Sequence, residues 1–428
     1  MVGGKGRGDA GKGFFDKNVI RGGTMNAADT AFVLISAALV MLMTPGLALF
    51  YGGMVRTKNI LGTLMHSNIL LGTVSVLWAI VGYSLAFGGD VGGIIGNFDF
   101  AFLNGVGQTA KEGVDNIPHL AFMIFQCMFA VITPALITGA FAERIKFSGF
   151  LLFTALWLLV VYCPMAHWVW GGGWMAKMGA LDFAGGAVVH MSSGASALAA
   201  VLYLGRRHGF GKQSFIPHNL PLTILGAGIL WFGWFGFNAG SALAANGLAA
   251  SAFVTTHLAA AAAAFSWIIV EWWHRGKPTT LGMASGAVAG LVAITPAAGY
   301  VTPMPAILMG LVAGGLCYGG VLLKSFFKYD DALDVVGIHG LGGTFGALAT
   351  GLFATKAVNE LGADGLFYGN PEQLWIQFVS VVATWVFCFV MTLILFKIVD
   401  VMVGIRVSQD DEIKGLDVSQ HSEVGYQL

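Results

Sequence analysis

Leu181-Asp182-Phe183-Ala184-Gly185-Gly186-Ala187-Val188-Val189-His190 opens a run of small and apolar residues that continues to Leu204. About 20 such residues at 1.5 Å rise each match the roughly 30 Å hydrocarbon core of a bilayer. The run nevertheless carries an ionisable ring, His190, about nine residues in. Five spans later, Leu333-Asp334-Val335-Val336-Gly337-Ile338-His339 opens another, with His339 about six residues in. Five spans of separation make the two segments enter from opposite faces, as in a five-plus-five inverted repeat. Chance similarity in glycine-rich sequence would produce the same letters.

Outward from these two, apolar segments recur along the chain at roughly 29–54, 59–87, 117–142, 147–166, 184–204, 218–241, 249–272, 281–299, 304–325, 333–354 and 372–404. The last and longest opens at Asn370-Pro371, an N-cap residue followed by proline at the first helical position. Of the 428 residues 56% are hydrophobic and 10% charged, whereas a soluble domain carries roughly 25% charged residues. Such a chain cannot cover a water-facing surface, and the expected fold is an all-α polytopic membrane protein of eleven helices with the lipid bilayer as its solvent. The 62 glycines suit close helix packing in lipid. A formal net charge of zero gives no reason to expect a nucleic-acid partner. Cys127, Cys163, Cys317 and Cys388 fall inside apolar stretches without metal-ligand spacing, so they are expected to be reduced core residues, with no metal and no cofactor.

Basic residues set the orientation. Fourteen, from Arg56 and Lys58 through Arg144, Lys146, Arg206 and Arg207 to Lys414, fall on one side, while Lys111, Lys177 and Lys356 fall on the other. The positive-inside rule makes the first side cytoplasmic. Eleven spans then put the N-terminus outside and the C-terminus inside. Residues 1–24 break the pattern with five basic residues and no apolar core for a signal peptide. They are expected to be disordered or a non-native extension before a natural-looking start at Met25, the alternative being a cytoplasmic N-terminus and twelve spans. Residues 25–405 form the transmembrane domain and 406–428 a cytoplasmic tail.

Ionisable groups deep in a membrane segment are costly and tend to line a pathway. By helical rise, His190 and His339 both reach roughly 9–13 Å toward the bilayer centre. Two separate core histidines, each bonded to a carbonyl, would also fit, but the symmetric pair favours one shared pore site. In an apolar pore both rings should be mostly neutral, able to bond to one another, guide a small polar molecule and relay a proton. His66 and His257 lack a comparable partner and are expected to pack. Phe125, Phe129, Trp170, Trp231, Trp234, Phe235 and Phe237 gather near span ends. An interfacial aromatic belt accounts for most of them, though aromatic faces also bind small cations. Asp182 beside them caps its helix and supplies a negative field.

Pro45–Gly53 (PGLALFYGG), Gly139–Phe147 (GAFAERIKF), Ala166–Gly173 (AHWVWGGG), Gly179–His190 (GALDFAGGAVVH), Pro217–Pro221 (PHNLP), Gly233–Ser241 (GWFGFNAGS), Asp334–Gly343 (DVVGIHGLGG) and Gly415–Val418 (GLDV) together resemble the Amt/Mep/Rh ammonium transporters, in their bacterial and archaeal Amt branch. The resemblance runs from about residue 28 to the tail. It implies eleven helices per subunit, with the long last helix added to the repeat, a homotrimer with one pore per subunit, and a place in the cell's inner (plasma) membrane. It implies an outer ammonium or methylammonium site at Trp170, Phe129 and Ser241, supported by Asp182. Below that site it implies stacked gates at Phe129 and Phe237 and a twin-histidine pore at His190 and His339. A PII-type regulatory protein is implied at the inner surface, where the tail would also suit packing against a neighbouring subunit.

Two other function classes compete with transport. An ammonium sensor with little flux would need a cytoplasmic partner, since the tail carries no output domain. A membrane enzyme would need a metal cluster, a nucleophile triad or a phosphate loop. Ser241 with Asp182 makes no triad without a histidine on the outer side, and no catalytic residue is expected.

Overall fold

Asn26 begins the first helix by accepting the N–H groups of Ala28 and Asp29 on its side-chain oxygen, an N-cap that satisfies donors the helix cannot. Ala27–Met54 follows as the first of ten helices, among the described residues, that are long and apolar enough to cross a membrane. The computed structural model describes residues 25–426, so the expectation for residues 1–24 lies outside the described residues. The other nine are Thr57–Phe87, His119–Phe141, Phe147–Met178, Gly186–Leu204, Leu220–Gly240, Gly247–Arg275, Pro303–Phe327, Val336–Phe353 and Pro371–Val403.

The segment expected at 281–299 forms a shorter apolar helix, Thr280–Ile294. Pro296 lacks the N–H that a continuing helix would need. The turn that results has a use, because the Pro296 carbonyl accepts the N–H of Phe183 at 3.1 Å and so braces the loop carrying Asp182. The last helix starts at Pro371 as expected, but Asn370 does not cap it with its side chain. Its amide instead donates to the Asp364 carbonyl at 2.9 Å. Two short antiparallel hairpins, Asp90–Val91 with Ile95–Gly96 and Ala110–Lys111 with Val114–Pro118, interrupt the otherwise helical chain.

Small residues bring the helices together. A Cβ on Gly236 would lie 2.6 Å from Leu39 Cβ, and one on Gly194 would collide with the Gly340 backbone. The Gly194 contact presses Gly186–Leu204 against Val336–Phe353, the two helices that carry His190 and His339. All four cysteines are buried and unpaired.

The tail folds back onto its own chain. Asp417 accepts the Gly62 N–H at 2.8 Å, and Asn59 accepts the Leu416 N–H at 2.8 Å. Lys58 donates to the carbonyls of Glu412 and Ile413.

Candidate functional site

Asp182 organises one end of the site. Its two carboxylate oxygens accept the N–H groups of Gly185, Gly186, Ala187 and Val188 at 2.8, 2.6, 2.8 and 3.3 Å. These are the free donors at the start of Gly186–Leu204, where the helix dipole also favours a negative charge. Burial pushes the Asp182 carboxyl up from its ordinary value, and the four N–H groups pull it back. The loop is fixed from three sides. Trp170 Nε1 donates to the Asp182 carbonyl at 2.9 Å, Gln377 holds Leu181 through both its amide atoms, and Pro296 holds Phe183. Asp182→Asn keeps one good acceptor oxygen, so about 1.5–3 kcal/mol of charge-assisted capping is lost. The expected result is a lower thermal unfolding midpoint in detergent, and an unchanged midpoint would remove the capping role.

Gly185 at φ +119° turns the chain into the helix, so His190 is the fifth helical residue rather than about the ninth. His339 is likewise the fourth residue of its helix rather than about the sixth. Both rings sit in π-helical turns, Gly186–Met191 and Val336–Gly340, a wound form often found at functional sites. They meet face to face, with centroids 5.3 Å apart, planes 27° apart and the Nδ1 atoms at 3.3 Å. A bond between two like nitrogens requires one donor and one acceptor, so one ring presents Nδ1–H and the other a bare Nδ1. His190 Nε2 is buried with no partner among the described residues. Trp234 stacks on His190 at 5.4 Å, held by its own N–H bond to Thr295 Oγ1 at 2.9 Å.

Phe129 and Phe237 separate two spaces. Their centroids are 4.3 Å apart and both are buried. On one side Phe129 meets Trp170 edge-on at 5.9 Å, and a vestibule of about 550 Å³ opens, lined also by Phe122, Phe125, Gln126 and Ser241. Ser241 donates its hydroxyl to the Phe237 carbonyl at 2.8 Å. On the other side Phe237, Trp234, His190 and His339 line a narrow apolar space with Leu47, Ile132 and Leu136, whose volume is only about 10 Å³. One water needs about that much. An aromatic vestibule thus ends on two contacting rings tilted by 36° to one another, with a nearly filled apolar space holding two imidazoles beyond.

The sequence pattern of the Ammonium Transporter Family matches residues 31–426. The chain belongs to the ammonium transporter family. It is 54% identical to an ammonium transporter of Bacillus subtilis over 94% of this chain and 99% of that one. It is 52% identical to ammonium transporter Amt1 of Archaeoglobus fulgidus over 94% of this chain and all of that one. The solved structure of Mep2 from Candida albicans superposes with a TM-score of 0.85 at 36% identity, covering 91% of this chain and 88% of that one.

Two residues that set the surroundings of the paired imidazoles are not singled out by the sequence. By sequence Trp234 belongs with an aromatic belt, yet the cluster divides. Trp234 and Phe237 face His190, whereas Trp231 packs on His257 and Phe235 on Phe253. The three-residue step from Trp234 to Phe237, which places both on one helical face, was the available signal.

The second is Asp331. The matched motifs paired Asp182 with Asp334, but Asp331 accepts the Val336 N–H at 2.8 Å, as Asp182 accepts that of Ala187. Asp334 instead stands at φ +65° and pairs with Lys324. Asp331 stands eight positions before His339, as Asp182 stands eight before His190. Burial and the neighbouring Asp334 charge push the Asp331 carboxyl up to about 6. His66 lies apart from the pair, packed on Phe150 at 4.5 Å.

Proposed function

We propose that the transporter recruits ammonium or methylammonium in the aromatic vestibule and conducts ammonia past His190 and His339. Trp170, Phe129 and Ser241 hold the cation there by aromatic faces and a hydroxyl, while Asp182 fixes the floor and adds its field. Phe129 and Phe237 form the gate. The proton is lost near that gate, because the channel beyond offers a cation almost no water and no counter-charge. A potassium ion has no proton to lose and is refused at the same point. The observation that carries this proposal is the contrast between the open vestibule of about 550 Å³ and the apolar space of about 10 Å³ holding two mutually bonded imidazoles.

In this proposal Thr280–Ile294 completes an eleven-helix subunit, built as a five-plus-five inverted repeat with Pro371–Val403 appended. The equal Asp-to-His spacing and the paired π-helical turns support the repeat. The subunit assembles as a homotrimer in the plasma membrane, with the Trp170 end outside and the basic loops and tail inside. The docked tail and the basic inner face suit a PII-type regulatory protein.

Purified protein in liposomes tests the transport step. An ammonium pulse is expected to alkalinise the lumen while a potassium pulse does nothing. Ammonium binding without alkalinisation or current would leave only the sensor reading.

A further inference from the structure

The Ala110–Lys111/Val114–Pro118 hairpin leads straight into the helix His119–Phe141, and its turn lines the vestibule. Lys111, half-buried there, points its ammonium group over the ring of Phe122 at 5.6 Å from the centroid. Phe122 is a wall of the same vestibule as Phe129, Trp170 and Ser241. Among the described residues Lys111 Nζ has no carboxylate within ion-pair distance, and its one hydrogen bond is a long 3.4 Å contact to the Glu112 carbonyl. Burial lowers its affinity for the proton, with Glu112 opposing. An alkylammonium held on an aromatic face, partly stripped of water and without a counter-ion, is in the chemical situation the vestibule offers its substrate.

We infer that Lys111 is a built-in competitor of ammonium, a tethered alkylammonium that occupies the vestibule and sets the concentration at which substrate displaces it. The inference rests on the transport reading. Substrate binds productively only to the fraction of molecules whose lysine has swung away. The apparent half-saturation constant is then the intrinsic one divided by that fraction. Maximal flux does not change, because saturating substrate excludes the lysine. The hairpin makes the swing feasible, since its pairing is irregular between Ala110 and Lys111.

The test compares the parent with Lys111→Met and Lys111→Arg in liposomes, by methylammonium uptake rate against concentration, in dilute buffer and again with N-methylglucamine chloride. Lys111→Met is expected to lower the half-saturating concentration about threefold to tenfold in both buffers without changing maximal flux, given the strength of a cation–aromatic contact. Lys111→Arg keeps the charge and is expected to show no gain. An unchanged constant in Lys111→Met would overturn the inference. So would a gain that vanishes in high salt, because that is a screened surface field and not an occupied site. Lys111→Gln serves the same comparison if the methionine variant does not fold. A parent without uptake would sink the transport reading instead, and methylammonium titration by calorimetry on the detergent-solubilised parent and variant would then decide the competition separately.

Discussion

His190→Ala is expected to cut ammonia flux in proteoliposomes about 5- to 150-fold and to open a potassium leak. The ring is one half of a single hydrogen bond, Nδ1 to Nδ1 at 3.3 Å, in a space of about 10 Å³. Its removal takes a hydrogen-bond partner from the passing ammonia, and leaving a polar group unpaired in a dry space costs about 1–3 kcal/mol, each 1.36 kcal/mol being tenfold. It also leaves room, where Trp234 and Phe237 had stacked at 5.4 and 6.0 Å, for water. A wetted channel penalises a bare cation far less than a dry one, so selectivity falls together with ammonia conduction. His339→Ala removes the other half of the bond and is expected to act in the same direction. Stopped-flow pH measurements report the first effect and a potassium-diffusion potential the second. If both variants matched the parent in both assays, the two rings would be core residues and not a conduction site.

The membrane segments were plain in the sequence because lipid leaves the chain little choice: a stretch that must bond its own backbone and hide no polar side chains declares itself by composition. The pairing of His190 with His339 was legible for the same reason, since a costly group repeated at similar depth needs a cause. Helix starts were less legible. Gly185 looks like any other glycine in a glycine-rich run, and only its φ of +119° shifts the beginning of the helix past Asp182. Asp330, Asp331 and Asp334 are identical in type and fall within five residues of sequence, yet one binds Arg207, one caps the His339 helix and one pairs with Lys324. That division follows from where three oxygen pairs fall in space, which residue type does not encode. Trp234 illustrates the same limit, because which face of an aromatic-rich helix turns inward is decided by its neighbours.

Arg207→Ala is expected to destabilise the transporter by about 3–5 kcal/mol, the usual cost of leaving buried charge without its partner. The Arg207 fork grips both oxygens of Asp330 at 2.9 and 2.7 Å and reaches Glu143 at 3.0 Å. Arg56 holds Glu143 from the other side at 2.8 Å. Burial alone would raise the Glu143 carboxyl, but Arg207 and Arg56 outweigh it and hold it at about 2. Burial likewise opposes, and Arg207 likewise wins, at Asp330, which is lowered. A carboxylate depressed in the folded state contributes stability that is present above its unfolded value and lost as pH falls toward the folded one. In the variant Asp330 loses most of that advantage and Glu143 keeps only the part that Arg56 supplies, and protonating them relieves the buried charge. The deficit should therefore be largest near pH 7.5 and shrink as pH drops through about 4, the ordinary carboxylate range. Arg207→Lys is expected to recover little, because one ammonium cannot serve two carboxylates in a planar fork. Thermal unfolding in detergent across this range measures the effect, and a variant as stable as the parent at pH 7.5 would refute it. The damage should not stop at stability. Asp330 is chain neighbour to Asp331, whose carboxylate fixes the start of the helix carrying His339, so loosening the Arg207 clamp loosens that imidazole. Flux should then fall in Arg207→Ala at temperatures where the protein is still folded.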